Sequence, residues 1–381
     1  MKGVTKENIK KYALNEFLTE YKELNTDNKY RPVAVGRYGI RKRESIYSKE
    51  LAKDYSKNKL IHKSTLTVGM GSKQIDIGIL IEDETFAVSP AYHTYEIQGI
   101  RCKYLEYCLQ SKNIEMFSLY AKRGSRQGKS IDLKRWLTYK IPVYSEKDQI
   151  VIEENLNKIN YVIELRRKQI DLLDELVKAR FVEMFGDPNI EFKYSSVKFN
   201  DLVARMTKGP FGSDMKKDLF VPKGEDTYKV YIQINAIQKN QSLGEYYISK
   251  EYFDRKVSRF ELFPNDYIIT CDGTLGKYLK LDENMEKGVI SPSLLRLTLQ
   301  NDKINDKYFE NIWDFYMLGL MKKEARNACL VHLPSAKKIG EISIPVPPLE
   351  LQNQFASFVK EIDKSRLLSN HSLFLIKSII F

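Results

Sequence analysis

One unit used twice is the feature that most restricts how this chain can fold. The segment LTYKIPVYSEKDQIVIEENLNKINYVIEL, from Leu137, returns as GEISIPVPPLELQNQFASFVKEIDKSRLL, from Gly340. A slide of 203 residues lays Ile141-Pro142-Val143 on Ile344-Pro345-Val346 and Gln149 on Gln352. The same slide lays Ile159 on Ile362, Leu165 on Leu368, Leu173 on Ile376 and Leu176 on Ile379. At a slide of 202, Gly71-Ser72 meets Gly273-Thr274, and Val88-Ser89-Pro90 meets Ile290-Ser291-Pro292. Chance supplies one shared tripeptide, not an ordered series, and a long internal period outranks local signals in deciding a fold. Each copy is a mixed domain, an Ile-Pro-Val exit and a long helix. A chain of 381 residues suits two such units, because single cores rarely grow past ~250–300 residues.

The helices are legible by period. Leu156, Ile163, Ile170, Val177 and Met184 recur at sevens, and Ile152, Ile159 and Leu173 fill the alternate seam position. That is a coiled-coil pattern, interrupted by Arg166 and Arg180. Pro142 precedes the helix, and Gly186-Asp187-Pro188 stops it, since glycine favours the left-handed cap and proline cannot continue the turn. In the second copy Phe355, Val359, Ile362, Leu373, Ile376 and Ile380 form the seam, and Arg366 stands where the first copy has Ile163. A helix with one apolar seam must bury it, and the other copy is the expected partner. A globular domain separates the two helices, which favours antiparallel pairing. Two helices packed each on its own domain is the alternative.

The globular parts read as β-rich with helices. TLTVGM from Thr65, IDIGILI from Ile75, YKVYIQI from Tyr228 and DYIITCDG from Asp266 are strand candidates. Lys103–Gln110 and Lys307–Arg326 are helical patches. The repeat fades at the amino end. There the second unit has RMTKGPFGSDMKK, while the first offers an amphipathic stretch, Thr5–Leu24, with Ile9, Ala13, Phe17 and Leu24 on one face. Tyr30-Arg31 then resembles Tyr228-Lys229 at a slide of 198. The expectation is an α+β chain of two pseudo-repeated, β-rich mixed domains joined by a long antiparallel two-helix coiled coil. Its parts are an N-terminal helix (1–28), a first domain (29–145), a central helix (146–187), a second domain (188–348) and a C-terminal helix (349–381).

Charge points to a polyanion. Residues 1–145 hold 27 Lys+Arg against 16 Asp+Glu, residues 146–188 hold 7 against 10, and residues 189–381 hold 28 against 24. Eleven basic residues lie between Lys29 and Lys63, interleaved with tyrosines, a composition suited to phosphates and base edges. A solvated basic surface is the plainer reading of any one such run. No apolar run approaches the ~18–20 residues of a membrane span, and the start lacks the apolar core of a signal peptide, so the cytoplasm is the expected location and no membrane the expected partner.

Catalytic apparatus is missing from the sequence. There is no GxxxxGK[ST] phosphate loop and no Asn-Pro-Pro-aromatic tetrapeptide. The four histidines and four cysteines form no metal-ligand spacing. Asp187-Pro188 with Glu191 and Lys193 imitates a metal-nuclease motif, but a turn at the helix stop accounts for it.

Together these features resemble the specificity subunit of Type I restriction-modification systems. The likeness is carried by IPVPPLELQNQF (344–355), its weaker twin IPVYSEKDQI (141–150), LDELVKARFVEMFGDP (173–188), GPFGSDMKK (209–217), DGTLGK (272–277) and ISPSLLRL (290–297). The resemblance implies a non-catalytic subunit with two target recognition domains, each reading half of a bipartite double-stranded DNA sequence. Paired helices would set the spacer and bind two methyltransferase subunits, with restriction-translocase subunits joining the assembly. S-adenosylmethionine, ATP and Mg²⁺ would then serve the partners, leaving this chain without cofactor or metal. A stand-alone DNA-binding regulator or scaffold, dimerising through its coiled coil, is the rival.

If DNA is the ligand, affinity comes from phosphates and specificity from base edges. In the first domain the candidates are Arg37, Tyr38, Arg41, Lys42, Arg43, Lys73, Gln74, Arg123, Ser125, Arg126, Gln127 and Lys129. In the second they are Lys208, Ser213, Lys216, Lys217, Gln233, Asn235, Gln238, Thr274 and Lys277. Arginine and glutamine make bidentate contacts to guanine and adenine, and glycines in these loops let the backbone approach closely.

Overall fold

The computed structural model describes residues 9–36, 39–46, 54–123, 129–240, 244–326 and 332–380. It divides into a first unit, Met1–Arg166 with Ser372–Phe381, and a second, Arg167–His371. Among the described residues no helix is long and apolar enough to cross a membrane.

In the first unit, β1 (Lys10–Ala13), β2 (Leu18–Glu20), β3 (Val33–Gly36), β4 (Gly39–Lys42), β5 (Lys59–Ile61) and β6 (Thr65–Met70) come first. β7 (Ile75–Leu80), β8 (Phe86–Val88) and β9 (His93–Ile97) follow, then α1 (Cys102–Ser111) and α2 (Asn113–Tyr120). A hairpin of β10 (Ala121–Arg123) and β11 (Lys129–Ile131), a short α3 (Leu133–Trp136) and β12 (Lys140–Val143) complete it. The main sheet has the order β2-β9-β6-β7. Its core is Leu66, Val68, Ile75, Ile77 and Tyr95, closed by Leu105, Leu109 and Trp136. Beside it, β4 pairs with β3 and β5 with β8, and a parallel bridge from Pro32 to Ala87 joins the two pairs.

α4 (Glu146–Phe185) leads out of this unit into the next. The second unit then holds β13 (Ser196–Lys198), β14 (Val203–Lys208), β15 (Thr227–Tyr231), α5 (Gln233–Ala236), β16 (Tyr246–Ser249) and α6 (Lys250–Tyr252). β17 (Glu261–Leu262), β18 (Tyr267–Thr270), β19 (Tyr278–Lys280), β20 (Gly288–Ile290) and β21 (Leu294–Leu299) follow. Last come α7 (Asp306–Ile312), α8 (Leu318–Arg326), α9 (Ala336–Gly340), β22 (Ser343–Pro345) and α10 (Leu349–Ile380). The sheets are ordered β14-β21-β18-β19 and β16-β15-β20-β17. Among the described residues the main sheet and the smaller sheet beside it repeat those of the first unit. Val230 pairs with Val289 as Pro32 pairs with Ala87, so the 198-residue offset of Tyr30-Arg31 holds at the small sheet.

The N-terminal helix expected over residues 1–28 is absent from the described residues 9–28. Among residues 9–28 the regular elements are β1, a short 3-10 turn and β2. Tyr12 faces Ile141 in the Ile-Pro-Val strand, as Val197 faces Ile344. The repeat therefore does reach the amino end, at an offset of 185 residues between Tyr12 and Val197. Long-range pairing satisfies the backbone here and overrides the helical spacing. The buried side chains are Leu14 and Leu18, while Ile9 and Leu24 stay exposed. A second departure concerns YKVYIQI: the strand stops at Tyr231, and Gln233 opens a helical turn closed by Ala236 N–H donating to Ile232 O at 3.0 Å.

The long helices pair antiparallel within the second unit. Ser369 Oγ lies 3.5 Å from Gln169 Oε1, Arg366 Nη2 2.5 Å from Asp174 Oδ1, and the Phe355 ring packs edge-on against Phe181 and Phe185. Of the expected seam, Ile163, Val177, Phe355, Val359 and Leu373 are buried. Ile152, Leu156, Ile159, Ile170, Leu173 and Ile362 are half-buried. The side chains of Ile376 and Ile380 lie outside the described residues. Toward its end α4 departs from the heptad: Phe181 and Phe185 are buried and Met184 only partly so. A straight helix turns 3.6 residues per turn, so its stripe drifts off a seven-residue seam, here into the core of the second domain. Gly186, at φ 83°, ends the helix as its sequence predicts.

Candidate nucleic-acid interface

In the second unit the strand ends gather several of the chosen residues. β14 ends at Lys208, β15 at Tyr231, β18 at Thr270 and β20 at Ile290, where β21 begins at Leu294. Backbone hydrogen bonds lace the connections: Ser291 N to Tyr231 O (3.0 Å), Gly209 N to Leu294 O (2.8 Å) and Cys271 N to Ser293 O (2.9 Å). Gly209 has no room for a side chain, because a Cβ would stand 2.1 Å from the Ser291 carbonyl oxygen. The glycine thus lets Lys208 and Ser213 leave the sheet beside the Ser291-Pro292 turn.

The loop after β18 is a preformed platform. Gly276 N–H donates to Thr270 O at 2.9 Å and Lys277 N–H to Thr270 Oγ1 at 3.0 Å, while the Thr270 hydroxyl donates to the Thr274 carbonyl. Gly273 and Gly276 hold φ of 68° and 72°, a conformation that side-chained residues resist. Thr274 and Lys277 are left exposed. Gln233 joins them, with its Nε2 3.9 Å from where a Cβ on Gly273 would be. Beneath the loop, burial pushes the Cys271 thiol up to about 12, so it serves as a packed neutral group.

The remaining choices divide. Lys216 and Lys217 are exposed farther along the same segment, near Lys256, whose ammonium is 3.6 Å from Asp214. Gln238 is exposed beyond α5. Asn235 is occupied differently: its amide donates to the Gly244 carbonyl and closes a turn. Sequence reasoning missed Phe211, 76% exposed in the Gly-Pro-Phe-Gly stretch, and Ser291, Asp272 and His332 at these strand ends.

In the first unit the corresponding end carries Lys73 and Gln74, in a turn closed by Gly71 N–H donating to Gln74 O at 3.0 Å. Met70, Ser89, Tyr92, His93 and Ser130 surround a cavity of about 380 Å³ there. Burial lowers the His93 pKa, so its ring is neutral near neutral pH. Arg41, Lys42 and Arg43 stand apart from this end. Lys42 Nζ is 3.9 Å from Glu84, past the opposite end of β7, because β4 lies across the middle of that strand with Ile40 over Gly78. Arg37, Tyr38, Ser125, Arg126 and Gln127 lie outside the described residues, as do the side chains of Arg123 and Lys129. The backbones of the last two face each other in the β10–β11 hairpin.

Two of the nuclease-like trio, Asp187 and Lys193, serve the end of α4. Asp187 Oδ1 accepts from the Asn189 backbone N–H at 2.9 Å, a bond that holds its carboxyl below the usual range. Lys193 donates to Met184 O at 3.1 Å, covering a C-terminal helix carbonyl. Among the described residues no group of three His, Cys, Asp or Glu side chains is placed to hold a metal ion.

Residues 212–376 match the family model described as Type I restriction modification DNA specificity domain. The chain is 30% identical to the Type I restriction enzyme MjaVIII specificity subunit of Methanocaldococcus jannaschii, across 34% of this chain and 32% of that protein. It thus spans about a third of the length of the curated relative it matches. Its fold is similar to the crystal structure of a Type I restriction-modification S subunit from M. genitalium. That likeness has TM-score 0.51 and 15% identity, and covers 100% of this chain and 96% of the other. A solved chain from a study of complex assembly and conformational transition of the type I R-M system gives TM-score 0.58 at 13% identity, covering 98% and 96%.

Proposed function

We propose that the chain is a specificity subunit of a Type I restriction-modification system, and that each of its two units reads one half of a bipartite double-stranded DNA target. The observation that carries this reading is the duplicated sheet pair, whose strand-end loops present Lys73 and Gln74 in one copy and Lys208, Gln233, Thr274 and Lys277 in the other. Two readers in one chain require a device that sets their spacing, and in this reading α4 and α10 set it. Ten base pairs of B-DNA occupy ~34 Å, so half-targets about a turn apart suit a long helical spacer.

The same helices dock two methyltransferase subunits, and restriction-translocase subunits complete a cytoplasmic assembly. S-adenosylmethionine, ATP and Mg²⁺ serve those partners, and this chain does no covalent chemistry. Genome-wide methylation mapping with and without the chain tests the proposal. One interrupted motif with a constant gap should be methylated only when the chain is present. A contiguous motif, or an unchanged pattern, overturns it.

A further inference from the structure

Asp272 and His332 form a pair with no role in the reading so far. His332 Nδ1 lies 2.5 Å from Asp272 Oδ1, and the two residues also face each other in an isolated antiparallel bridge. Leu333 N–H continues the pairing, donating to Cys271 O at 2.9 Å, and its side chain is buried. The imidazole is therefore fixed through its backbone and through one ring nitrogen, yet its side chain is 48% exposed. A carboxylate accepting from Nδ1–H leaves Nε2 for another partner, as an acceptor on the neutral ring and a donor on the charged one. The first form suits the exocyclic amine of adenine or cytosine, and the second suits a purine N7 or a phosphate.

The internal repeat supplies an independent observation. Asp132 and Ser335 cap α3 and α9 in the same way, accepting from the backbone N–H of Arg135 and Lys338. They stand 203 residues apart, so Lys129, three residues before Asp132, has His332 as its counterpart. At the 202-residue offset of the neighbouring loop, Met70 is the counterpart of Asp272. Met70 and Ser130 line one cavity in the first unit, so both units bring these two segments together. The position that carries a lysine in one copy carries a carboxylate-held histidine in the other.

We propose that His332 reads DNA in the second unit and that Asp272 is the positioning residue that aims it. This rests on the chain being a DNA-specificity subunit. The test is selection from a pool of duplexes randomised over about 30 positions, using the full chain assembled with methyltransferase subunits. His332→Ala should flatten the preference at one or two adjacent positions of a single half-target, by about tenfold, leaving the other half and the gap unchanged. Asp272→Ala should flatten the same positions, and Asp272→Asn, which keeps an acceptor oxygen, should restore them.

Unchanged preferences in His332→Ala overturn the assignment of His332, as does a loss spread over both halves. Equal failure of Asp272→Asn and Asp272→Ala overturns the positioning role. If the unaltered chain itself selects no bipartite sequence, the parent reading fails instead, an outcome distinct from the others.

Discussion

Gln352 does in the second unit what Gln149 does in the first. Each is buried in the first turn of its long helix, and each amide donates to a carbonyl of the preceding exit, Pro347 O at 2.8 Å and Tyr144 O at 2.9 Å. Each side-chain oxygen accepts from a backbone N–H at the start of an earlier helix, Asn305 before α7 at 2.8 Å and Arg101 before α1 at 3.2 Å. Tyrosines close both junctions, Tyr104 donating to Pro142 O and Tyr308 to Pro345 O, at 2.8 and 2.6 Å. The joint between domain and helix is thus built twice, from the same groups.

Gln352→Ala leaves an N–H and a carbonyl buried without a partner. It should cost about 1–3 kcal/mol, read as a lower midpoint in urea unfolding with unchanged slope. A midpoint within error of the parent chain would show that the junction relaxes freely.

Gly209→Ala sets a methyl group against the Ser291 carbonyl and the Pro292 Cα, backbone atoms that cannot swing aside. Overpacking of this kind costs ~1–3 kcal/mol. DNA binding should fall through the second half-target alone, as measured on duplexes altered in one half at a time. Equal loss from both halves would count against the placement of this loop.

Arg366 spends two guanidinium nitrogens on Asp174 and Asp363, while its Nε is buried with no partner among the described residues. Arg366 is only partly buried and Asp174 is exposed, so water screens the pair and little stability rests on it. Arg366→Ile, which copies Ile163 of the first helix, should therefore leave stability unchanged or raise it. A loss beyond ~1 kcal/mol, the worth of an ordinary exposed pair, would assign the arginine a stabilising role.

Lys208 and Lys277 should act on phosphates. Each alanine substitution should reduce the slope of log affinity against log salt by about one, with little change in sequence preference. An unaltered slope removes that lysine from the interface.

Adding one heptad to α4 and a matching heptad to α10 should widen the gap between half-targets. Seven residues rise ~10 Å, or about three base pairs. Methylation mapping with such a variant should return the same half-targets farther apart, and an unchanged gap would end the spacer role of the helices.

Periodic features were open to reading from the residues alone. The offset of 203, both long helices, the stop at Gly186 and the strands from Thr65, Ile75 and Tyr267 follow from local spacing and turn chemistry, which neighbouring residues impose on one another. Part of the candidate site was legible for the same reason. Lys208, Thr274 and Lys277 flank glycines whose positive φ or close approach marks a loop that must be shaped precisely where it is.

What tertiary structure alone decided depends on partners distant in the chain. Residues 9–28 hold strands because Lys140–Val143 and His93–Ile97 supply their hydrogen bonds, a contest that helical spacing cannot foresee. The Arg41–Arg43 run parts from Lys73 because β4 crosses the middle of β7. Asp272 and His332, 60 residues apart, meet only once β18 and the approach to α9 are laid side by side. Spacing along a chain dictates which way a local segment turns; which distant segments touch is set by burial and backbone pairing summed over the whole unit.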